Sequence, residues 1–168
     1  GVVTTPAVAY LVRRYGMDAG IMLSASHNPF EYNGIKIFSG EGYKLLDSQE
    51  EEIEEIVLDG ARPFPLKSAG EIGVITRAEN AADDYVNYLK TTVDCDLSGL
   101  RVAIDCSNGS ASVTAKKLFC GLGAVCDIFH AEPDGRNINE KCGSTHIAEL
   151  AKLVKAGRYD AGLAFDGD

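Results

Sequence analysis

The stretch that decides the fold is RVAIDCSNGSASVTAKKLFCGLGAVCDIF, residues 101–129. A short apolar run at Val102–Ile104 predicts a strand, the segment Ala111–Phe119 predicts a helix, and Ala124–Phe129 predicts a second strand. The same alternation continues with a helix and a strand predicted at Ile147–Ala156 and Ala161–Phe165. Strands that alternate with helices of about ten residues are typical of βαβ units, so a parallel sheet is expected.

The first half of the chain predicts a second, smaller set of elements. A helix begins with Thr5 as N-cap and Pro6 at the first helical position, and it ends at Gly16. Two strands follow, at Ala19–Ser24 and Ile35–Phe38.

The next helix opens at Asp47, where Glu50 completes a capping-box pattern, and it stops at Gly60. Its inward face is expected to consist of Ile53, Ile56 and Val57.

Three further polar residues are candidate helix caps. Asn80 is expected to cap a third helix, and Ser110 is expected to cap the helix at Ala111–Phe119. Ser144 or Thr145 is expected to cap the helix entered at His146.

The best candidate for a linker is Arg62–Gly73, which is rich in Pro and Gly and has no periodicity. We therefore expect an α/β protein made of two small three-layer units with mixed or parallel sheets. The first unit, residues 1–75, is expected to be incomplete, and the second covers residues 76–168. Because the chain starts at Gly-Val-Val and stops on an acidic turn after a strand, we interpret both ends as cuts through a longer protein.

Composition limits the functions open to the chain. Its 168 residues are 45% hydrophobic and 24% charged, which is typical of a globular protein with a sizeable core. Asp and Glu outnumber Lys and Arg by 25 to 16, a formal net charge of -9, so a nucleic-acid partner is not expected. No apolar stretch approaches about 18 residues, so a membrane partner is not expected either.

The five cysteines are odd in number, irregularly spaced and without a CxxC pair. This argues against a disulfide framework or a structural zinc site and favours a reducing cytoplasm. We expect Cys106, Cys120 and Cys126 to pack in the core and Cys142 to lie in an accessible polar loop.

The polar segment between the two strands of the first half carries the most informative residues. The strand Ala19–Ser24 delivers Ser26 to a loop at its carboxyl end, where active sites of α/β proteins collect. Adjacent residues of an extended chain point in opposite directions, so His27 cannot easily deprotonate Ser26. A plain Asn-Pro turn with a local serine hydrogen bond is the alternative interpretation.

Asp166 and Asp168 follow the last predicted strand and are separated by Gly167. Two carboxylates spaced in this way can turn their oxygens toward one point and bind a hard cation such as Mg2+. The alternative is a plain turn after a strand. A divalent ion near a phosphorylated Ser26 would suit phosphoryl transfer, which depends on positioning and charge neutralisation.

These residues together carry a resemblance to a known family. Ser24–Lys36, SASHNPFEYNGIK, resembles the active-site loop of the α-D-phosphohexomutase superfamily, and the terminal AFDGD resembles the start of its metal loop, DGDxDR. Asn137–His146, NINEKCGSTH, is similar to the branch that acts on glucosamine phosphates. The resemblance covers nearly all of the chain and implies the later part of a first domain followed by a second domain.

The resemblance also implies roles for individual residues. Ser26 would be phosphorylated, give its phosphoryl group to glucosamine 6-phosphate, and take one back from the bisphosphate to leave glucosamine 1-phosphate. Ser26, Asp166 and Asp168 would hold Mg2+, and His27 and Lys36 would lie near the transferred group. Lys36 would act as a proton shuttle or charge stabiliser. The implied partner is a phosphorylated hexosamine, whose product feeds UDP-N-acetylglucosamine and cell-wall synthesis.

The chain departs from the family pattern in two ways, and two other functions are possible interpretations of the same residues. The third carboxylate of the metal loop and the family's sugar-recognition and phosphate-clamping loops do not occur in these 168 residues, so the isolated chain is expected to be inactive. Specificity for mannose or glucose phosphates on the same scaffold is one alternative. A non-catalytic α/β binding module is the other, although it leaves the coincidence of the serine loop with the Asp-Gly-Asp turn unexplained.

Overall fold

The computed structural model describes residues 1–58, 60 and 65–168. The α-helices and β-strands among them are α1 (Thr5–Tyr15), β1 (Ala19–Ser24), β2 (Gly34–Ser39), α2 (Asp47–Val57), α3 (Ala81–Thr91), β3 (Arg101–Asp105), α4 (Ala115–Gly121), β4 (Val125–Phe129), α5 (Ala148–Leu153) and β5 (Ala161–Ala164). The expected α/β class is confirmed. Part of the predicted linker Arg62–Gly73 lies outside the described residues, and the described part, from residue 65 onward, is exposed.

The first unit is a helix packed on a pair of strands. β1 and β2 pair antiparallel, with Ser24 opposite Gly34 and Met22 opposite Lys36. α1 contacts both strands, and its Leu11 is buried. The described residues of this unit thus form two layers and one antiparallel pair, fewer than the three layers expected.

The ends of α1 follow the prediction to within one residue. Its N-cap is Thr4 rather than Thr5, and no side-chain hydrogen bond caps it. Gly16 ends the helix as predicted, in the left-handed conformation with φ 62°.

The helix α2 starts at the predicted residue, Asp47, but differs from the prediction in its capping and its burial. The side chain of Gln49, not that of Glu50, reaches back to accept the Leu46 N–H at 3.2 Å. No α2 residue is buried, and Val57 is 72% exposed. The apolar spacing predicted an inward face, but such a face is buried only where a facing surface exists.

The helix α3 joins the two units. Tyr85 is buried against Ala7 and Leu11 of α1, and Tyr88 stacks on Tyr10 with ring centroids 4.1 Å apart. The second half of the chain is therefore anchored to the first by an aromatic contact.

The second unit has the predicted parallel sheet. β3 lies in the centre, and both β4 and β5 run parallel to it. Val102 and Ile104 pack with α4 on one face. On the other face α5 lies close over Gly162 through Leu150. The three expected layers are present here.

The predicted helix starts in this unit are wrong in detail. The segment predicted as a helix from Ala111 begins as a 3-10 turn, Ser110–Val113, before α4. Ser112 Oγ donates to the Gly109 carbonyl at 2.6 Å, a local bond that competes with the helical pattern. Ser110 does not cap this turn, since its buried hydroxyl has no hydrogen-bond partner among the described residues.

The helix predicted at Ile147–Ala156 is regular only over α5 and continues as a π-helical turn, Val154–Arg158. Its N-cap position is Ile147, so neither Ser144 nor Thr145 caps it. None of the helices in the described residues combines the length and the apolar composition of a membrane-spanning helix.

Candidate active site

The antiparallel pairing of β1 and β2 places two polar side chains on one face of the first unit. Ser24 ends β1 opposite Gly34, and Lys36 lies two residues further along β2. Residues i and i+2 of a strand share a face, so Ser24 and Lys36 point the same way. The loop between the strands, residues 25–33, carries Ser26 at its start.

Ser26 has a backbone conformation that serine rarely adopts. Its φ is 52°, in the left-handed region. The Ser26 N–H donates to Ser24 Oγ at 2.8 Å, and the Asn28 N–H closes the turn onto the Ala25 carbonyl at 3.0 Å. These bonds hold the Ser26 side chain in one direction.

That direction is toward the turn after β5. Ser26 Oγ donates to Asp166 Oδ2 at 2.9 Å. Ser24 Oγ donates to Asp168 Oδ2 at 2.7 Å, and Lys36 Nζ forms an ion pair with the same oxygen. The structure thus brings together four predicted site residues from two stretches that lie more than 100 positions apart.

Neighbouring side chains stabilise the ionised form of the Asp168 side-chain carboxyl group in spite of its burial. Its side chain is 11% exposed, and burial opposes the charged form. The hydrogen bonds from Lys36 and Ser24 and the charge of Lys36 outweigh that cost, so the pKa of Asp168 lies below its usual range.

Two glycines allow three backbone segments, one from the first unit and two from the second, to approach closely. A Cβ on Gly167 would overlap the Ser26 carbonyl oxygen and lie 2.8 Å from Ile138 Cδ1. A Cβ on Gly109 would lie 2.7 Å from Gly167 Cα. The Asp166–Asp168 turn is therefore held between the serine loop and residue 109, and the Ser110 N–H donates to the Gly167 carbonyl at 2.9 Å.

His27 is the predicted site residue that the structure does not connect to this group. It is exposed, and no hydrogen bond or ion pair is found for it among the described residues. It lines a groove of about 470 Å³ together with Arg136 and His146. Its proximity to the transferred group stays a prediction.

Sequence reasoning missed several residues that support the site. Asn139 Nδ2 donates to the carbonyls of Ser26 and Asn28, at 2.7 and 2.9 Å. Ser107 Oγ lies 3.0 Å from the Asp166 carbonyl oxygen and 2.7 Å from that of Cys106, and Ser144 Oγ lies 3.4 Å from Asp166 Oδ1. The sequence suggests a family motif at Asn137–His146 and a helix cap at Ser144 or Thr145, but no local pattern indicates these long-range contacts.

A second cluster of metal-binding residue types lies nearby. Oxygen, nitrogen and sulfur atoms of Asp105, His130 and Cys142 lie within 4.8 Å of one another. Asp105 is already committed to other partners, because its carboxylate accepts the N–H groups of Ser107 and Gly143 and lies 3.1 Å from His130 Nδ1. We therefore interpret the contacts of Asp105, His130 and Cys142 as stabilising the fold rather than as a metal site.

The cysteines differ from expectation at two positions. Cys106 is buried as expected and Cys126 is half-buried, but Cys120 is exposed. Cys142 is buried rather than accessible, and burial together with the nearby Asp105 raises its pKa to about 11. Its thiol is therefore a poor nucleophile at neutral pH.

The donors around Ser26 are suitable for the magnesium ion that the family resemblance implies. All of them are oxygens, from the carboxylates of Asp166 and Asp168 and the hydroxyl of Ser26, and Mg2+ prefers oxygen ligands. The contact between Ser26 Oγ and Asp166 Oδ2 puts a hydroxyl and a carboxylate within reach of one ion.

Comparisons with known proteins agree with this geometry. Residues 1–63 match the family model described as phosphoglucomutase/phosphomannomutase, alpha/beta/alpha domain I, and residues 83–168 match domain II. Over the whole chain, the identity to the phosphoglucosamine mutase of Acetivibrio thermocellus is 52%, and to that of Clostridium acetobutylicum 49%. The chain spans only 37% and 38% of the lengths of these relatives.

Solved structures support the same assignment. A phosphoglucomutase/phosphomannomutase family protein from Burkholderia thailandensis superimposes with a TM-score of 0.71 at 27% identity, covering 90% of this chain and 32% of the other. A Thermus thermophilus protein, provisionally assigned as a phosphomannomutase, shares the fold with a TM-score of 0.77 at 21% identity, covering 99% and 38%. Taken with the two domain matches, these similarities show that the chain belongs to the phosphoglucomutase/phosphomannomutase family.

Proposed function

We propose that this chain is the phosphoserine-bearing part of a phosphoglucosamine mutase, and that the whole protein interconverts glucosamine 6-phosphate and glucosamine 1-phosphate. The observation that carries the proposal is the 2.9 Å contact between Ser26 Oγ and Asp166, which joins the serine loop to the Asp-Gly-Asp turn. The glucosamine specificity rests on the relatives named phosphoglucosamine mutase at about 50% identity.

The proposed reaction transfers a phosphoryl group twice. The bond between phosphorus and Ser26 Oγ breaks while the free hydroxyl of the sugar monophosphate attacks phosphorus and gives up its proton. The bisphosphate then turns around in the cleft, and Ser26 Oγ attacks its other phosphoryl group. Each transfer leaves the number of phosphoryl groups unchanged, so Ser26 ends the cycle phosphorylated.

The chain's own residues have distinct tasks in this proposal. Lys36 carries positive charge next to Asp168 and is placed to offset negative charge during transfer. The candidates to accept or return the sugar proton are His27 and, as the alternative to its charge-stabilising role, Lys36 in its neutral form. Asp166, Asp168 and Ser26 would hold Mg2+, which when bound supplies further neutralisation of the phosphoryl oxygens.

We further propose a boundary between two family domains close to residues 75 and 76. Residues 65–80 are exposed and contain only a short 3-10 turn, Ala69–Glu71. The family matches stop at residue 63 and resume at residue 83, on either side of this segment. The free cysteines favour the cytoplasm as the place of action.

The test is an assay of the whole protein with Mg2+ and a catalytic amount of glucose 1,6-bisphosphate. Turnover should be highest with glucosamine 6-phosphate, and mannose 6-phosphate and glucose 6-phosphate are the competing substrates. Tryptic mass spectrometry should find a phosphoryl group, roughly 80 Da, on Ser26. The Ser26→Ala variant should remain folded and lose nearly all turnover.

Three results would count against the proposal. A preference for mannose or glucose phosphates would move the protein to another branch of the family. Full turnover of Ser26→Ala would remove Ser26 from the mechanism. An unphosphorylated, inactive whole protein would favour the non-catalytic binding module.

A further inference from the structure

The backbone of Ser26 is held from both sides by residues that depend on the second unit. Its N–H donates to Ser24 Oγ, whose own hydroxyl donates to Asp168. Its carbonyl accepts a hydrogen bond from Asn139 Nδ2 at 2.7 Å. Hydrogen bonds at its N–H and at its carbonyl thus stabilise the left-handed conformation of Ser26.

The amide of Asn139 makes a second bond to the same loop. Nδ2 also donates to the Asn28 carbonyl at 2.9 Å, so one amide group spans the turn that contains Ser26 and His27. An amide nitrogen carries two hydrogens, and each has an acceptor here. Asn139 is only 8% exposed, so water cannot readily replace it.

Asn139 is itself fixed to the segment that positions Asp166. Its backbone N–H donates to the Ser107 carbonyl at 2.9 Å, and Ser107 Oγ lies 3.0 Å from the Asp166 carbonyl oxygen. The one hydroxyl hydrogen of Ser107 is shared between that oxygen and the Cys106 carbonyl oxygen, 2.7 Å away. Asn139 and the Asp166–Asp168 turn therefore both contact Ser107. This link is one of several contacts that position the serine loop and the Asp166–Asp168 turn, beside those of Ser110 to Gly167 and of Ser24 to Asp168.

We propose that Asn139 is the positioning residue for Ser26: it holds the serine loop in the conformation that directs Ser26 Oγ at Asp166. Asn139 does not touch the reacting atoms, so it acts through Ser26 and is not a catalytic residue. The consequence for catalysis rests on the proposed function, whereas the consequence for loop structure does not.

The structural test is hydrogen exchange of the backbone amides in this 168-residue chain. Asn139→Asp keeps the size of the side chain but removes both donors. Asn139→Gly also removes them and suits the φ of 58° at this position, so it keeps the test open if a buried charge unfolds the first variant. The amides of Ser26 and Asn28 should exchange roughly tenfold faster or more in both variants, because two anchors of the turn are lost.

Asn137→Asp is the matched control. It makes the same substitution two residues away, but among the described residues the side chain of Asn137 bonds only within its own loop, at Glu132 and Asp134. Exchange at Ser26 and Asn28 should stay within about twofold of the wild type. Wild-type exchange in both Asn139 variants, or an equal increase in Asn137→Asp, would overturn the proposal.

Kinetics of the whole protein provide the second readout. Displacing a nucleophile lowers kcat more than it weakens substrate binding, so each Asn139 variant should lose roughly 10- to 100-fold in kcat while KM changes less than about threefold. An unchanged kcat, or a rise in KM alone, would contradict the positioning role. If Ser26→Ala keeps full turnover, the proposed function fails, and the exchange experiment still decides whether Asn139 holds the loop.

Discussion

The hydroxyl of Ser26 points at Asp166 because neighbouring side chains hold an unfavourable backbone conformation. Left-handed backbone at a residue other than glycine costs on the order of 1–3 kcal/mol, and it persists only where the surroundings determine it. Here Ser24 and Asn139 supply that support. The Ser26 hydroxyl is therefore already oriented in the folded chain, and in the proposed reaction this would reduce the reorganisation needed for transfer.

The ion pair between Lys36 and Asp168 leads to a prediction about the Asp168 carboxyl group. Burial raises the pKa of Asp168, and Lys36→Met removes the hydrogen bond and the positive charge of Lys36 that lower it, leaving mainly Ser24 to oppose the effect of burial. We expect the pKa of Asp168 to rise in this variant. Titration of the 13C-labelled carboxyl groups by NMR measures it directly.

The sign also fixes how stability depends on pH. A lowered folded-state pKa contributes stability that is present above the unfolded-state value of about 3.9 and is lost as pH falls through the folded-state value. Lys36→Met should therefore unfold at a higher pH on acidification. Lys44→Met is the control, because Lys44 pairs with Asp47 and Glu50, away from the site. An Asp168 pKa that does not change would show that Lys36 is not its main support.

At this scale the sequence identifies the residues that lie in short motifs and misses their supports. Two short motifs that are recognisable in a single sequence contain Ser26, Lys36, Asp166 and Asp168. The bonds from Ser24 to Asp168 and from Asn139 to Ser26 join residues 144 and 113 positions apart. A single sequence contains no pattern that pairs such distant residues, so their contribution becomes visible only in the folded chain.

Among the elements, those whose burial depends on local packing were predicted best. The central strand β3 is an apolar run because a central parallel strand is covered on both faces. The start of α4 differs from the prediction because Ser112 bonds to the nearby Gly109 carbonyl. The burial of α2 differs because amphipathic spacing does not show whether a facing surface exists.

The close approach of three backbone segments leads to a prediction at Gly109. In Gly109→Ala the new Cβ would lie within 2.7 Å of Gly167 Cα, and backbone atoms cannot rotate away as a side chain does. We expect a loss of about 1–3 kcal/mol in the free energy of unfolding, as for other overpacked sites. Urea unfolding of this chain measures it.

Gly70→Ala provides the comparison for that measurement. Nothing lies within 4 Å of a Cβ at position 70, so the variant should match the wild type to within about 0.5 kcal/mol. Equal stabilities of the two alanine variants would mean that the turn at residues 166–168 is free to move away from residue 109.

For the whole molecule, the site depends on how two units meet. α3 rests on α1 through Tyr85, and the serine loop rests on the Asp166–Asp168 turn. Each contact draws one partner from each family match, so neither unit contains the complete site. The sequence predicted both units, but the contact between them follows from packing that is not local.

Magnesium affinity gives a prediction at this scale. Mg2+ requires nearly octahedral oxygen coordination, and Asp166 and Asp168 supply only two carboxylates. A longer protein that carries a third carboxylate of the DGDxDR pattern should bind Mg2+ clearly more tightly than this chain. Titration calorimetry on both proteins measures the difference, and Asp166→Asn should weaken binding in each. Equal Mg2+ affinities of the two proteins would argue that Asp166 and Asp168 are not part of a DGDxDR metal loop.

The last prediction concerns the catalytic competence of these 168 residues alone. We expect the chain to fold, because its parallel sheet and the packing of α3 on α1 lie wholly within it. We also expect no measurable mutase activity. In the proposed reaction a sugar bisphosphate must be held at both ends while it turns around, and the sugar-recognition and phosphate-clamping loops that the family resemblance implies do not occur in these 168 residues.

The net charge of -9 further weakens the binding of a sugar bisphosphate to the isolated chain, because an anionic ligand is repelled unless local cations attract it. Each missing charge-assisted contact corresponds to about 1.5–3 kcal/mol, so losing several would lower the rate by many orders of magnitude. A coupled assay for glucosamine 1-phosphate, with purified chain, Mg2+ and glucose 1,6-bisphosphate, tests this, with the whole protein as the positive control. Turnover close to that of the whole protein would mean that a second copy of the chain, or another surface of this one, provides the missing half of the cleft.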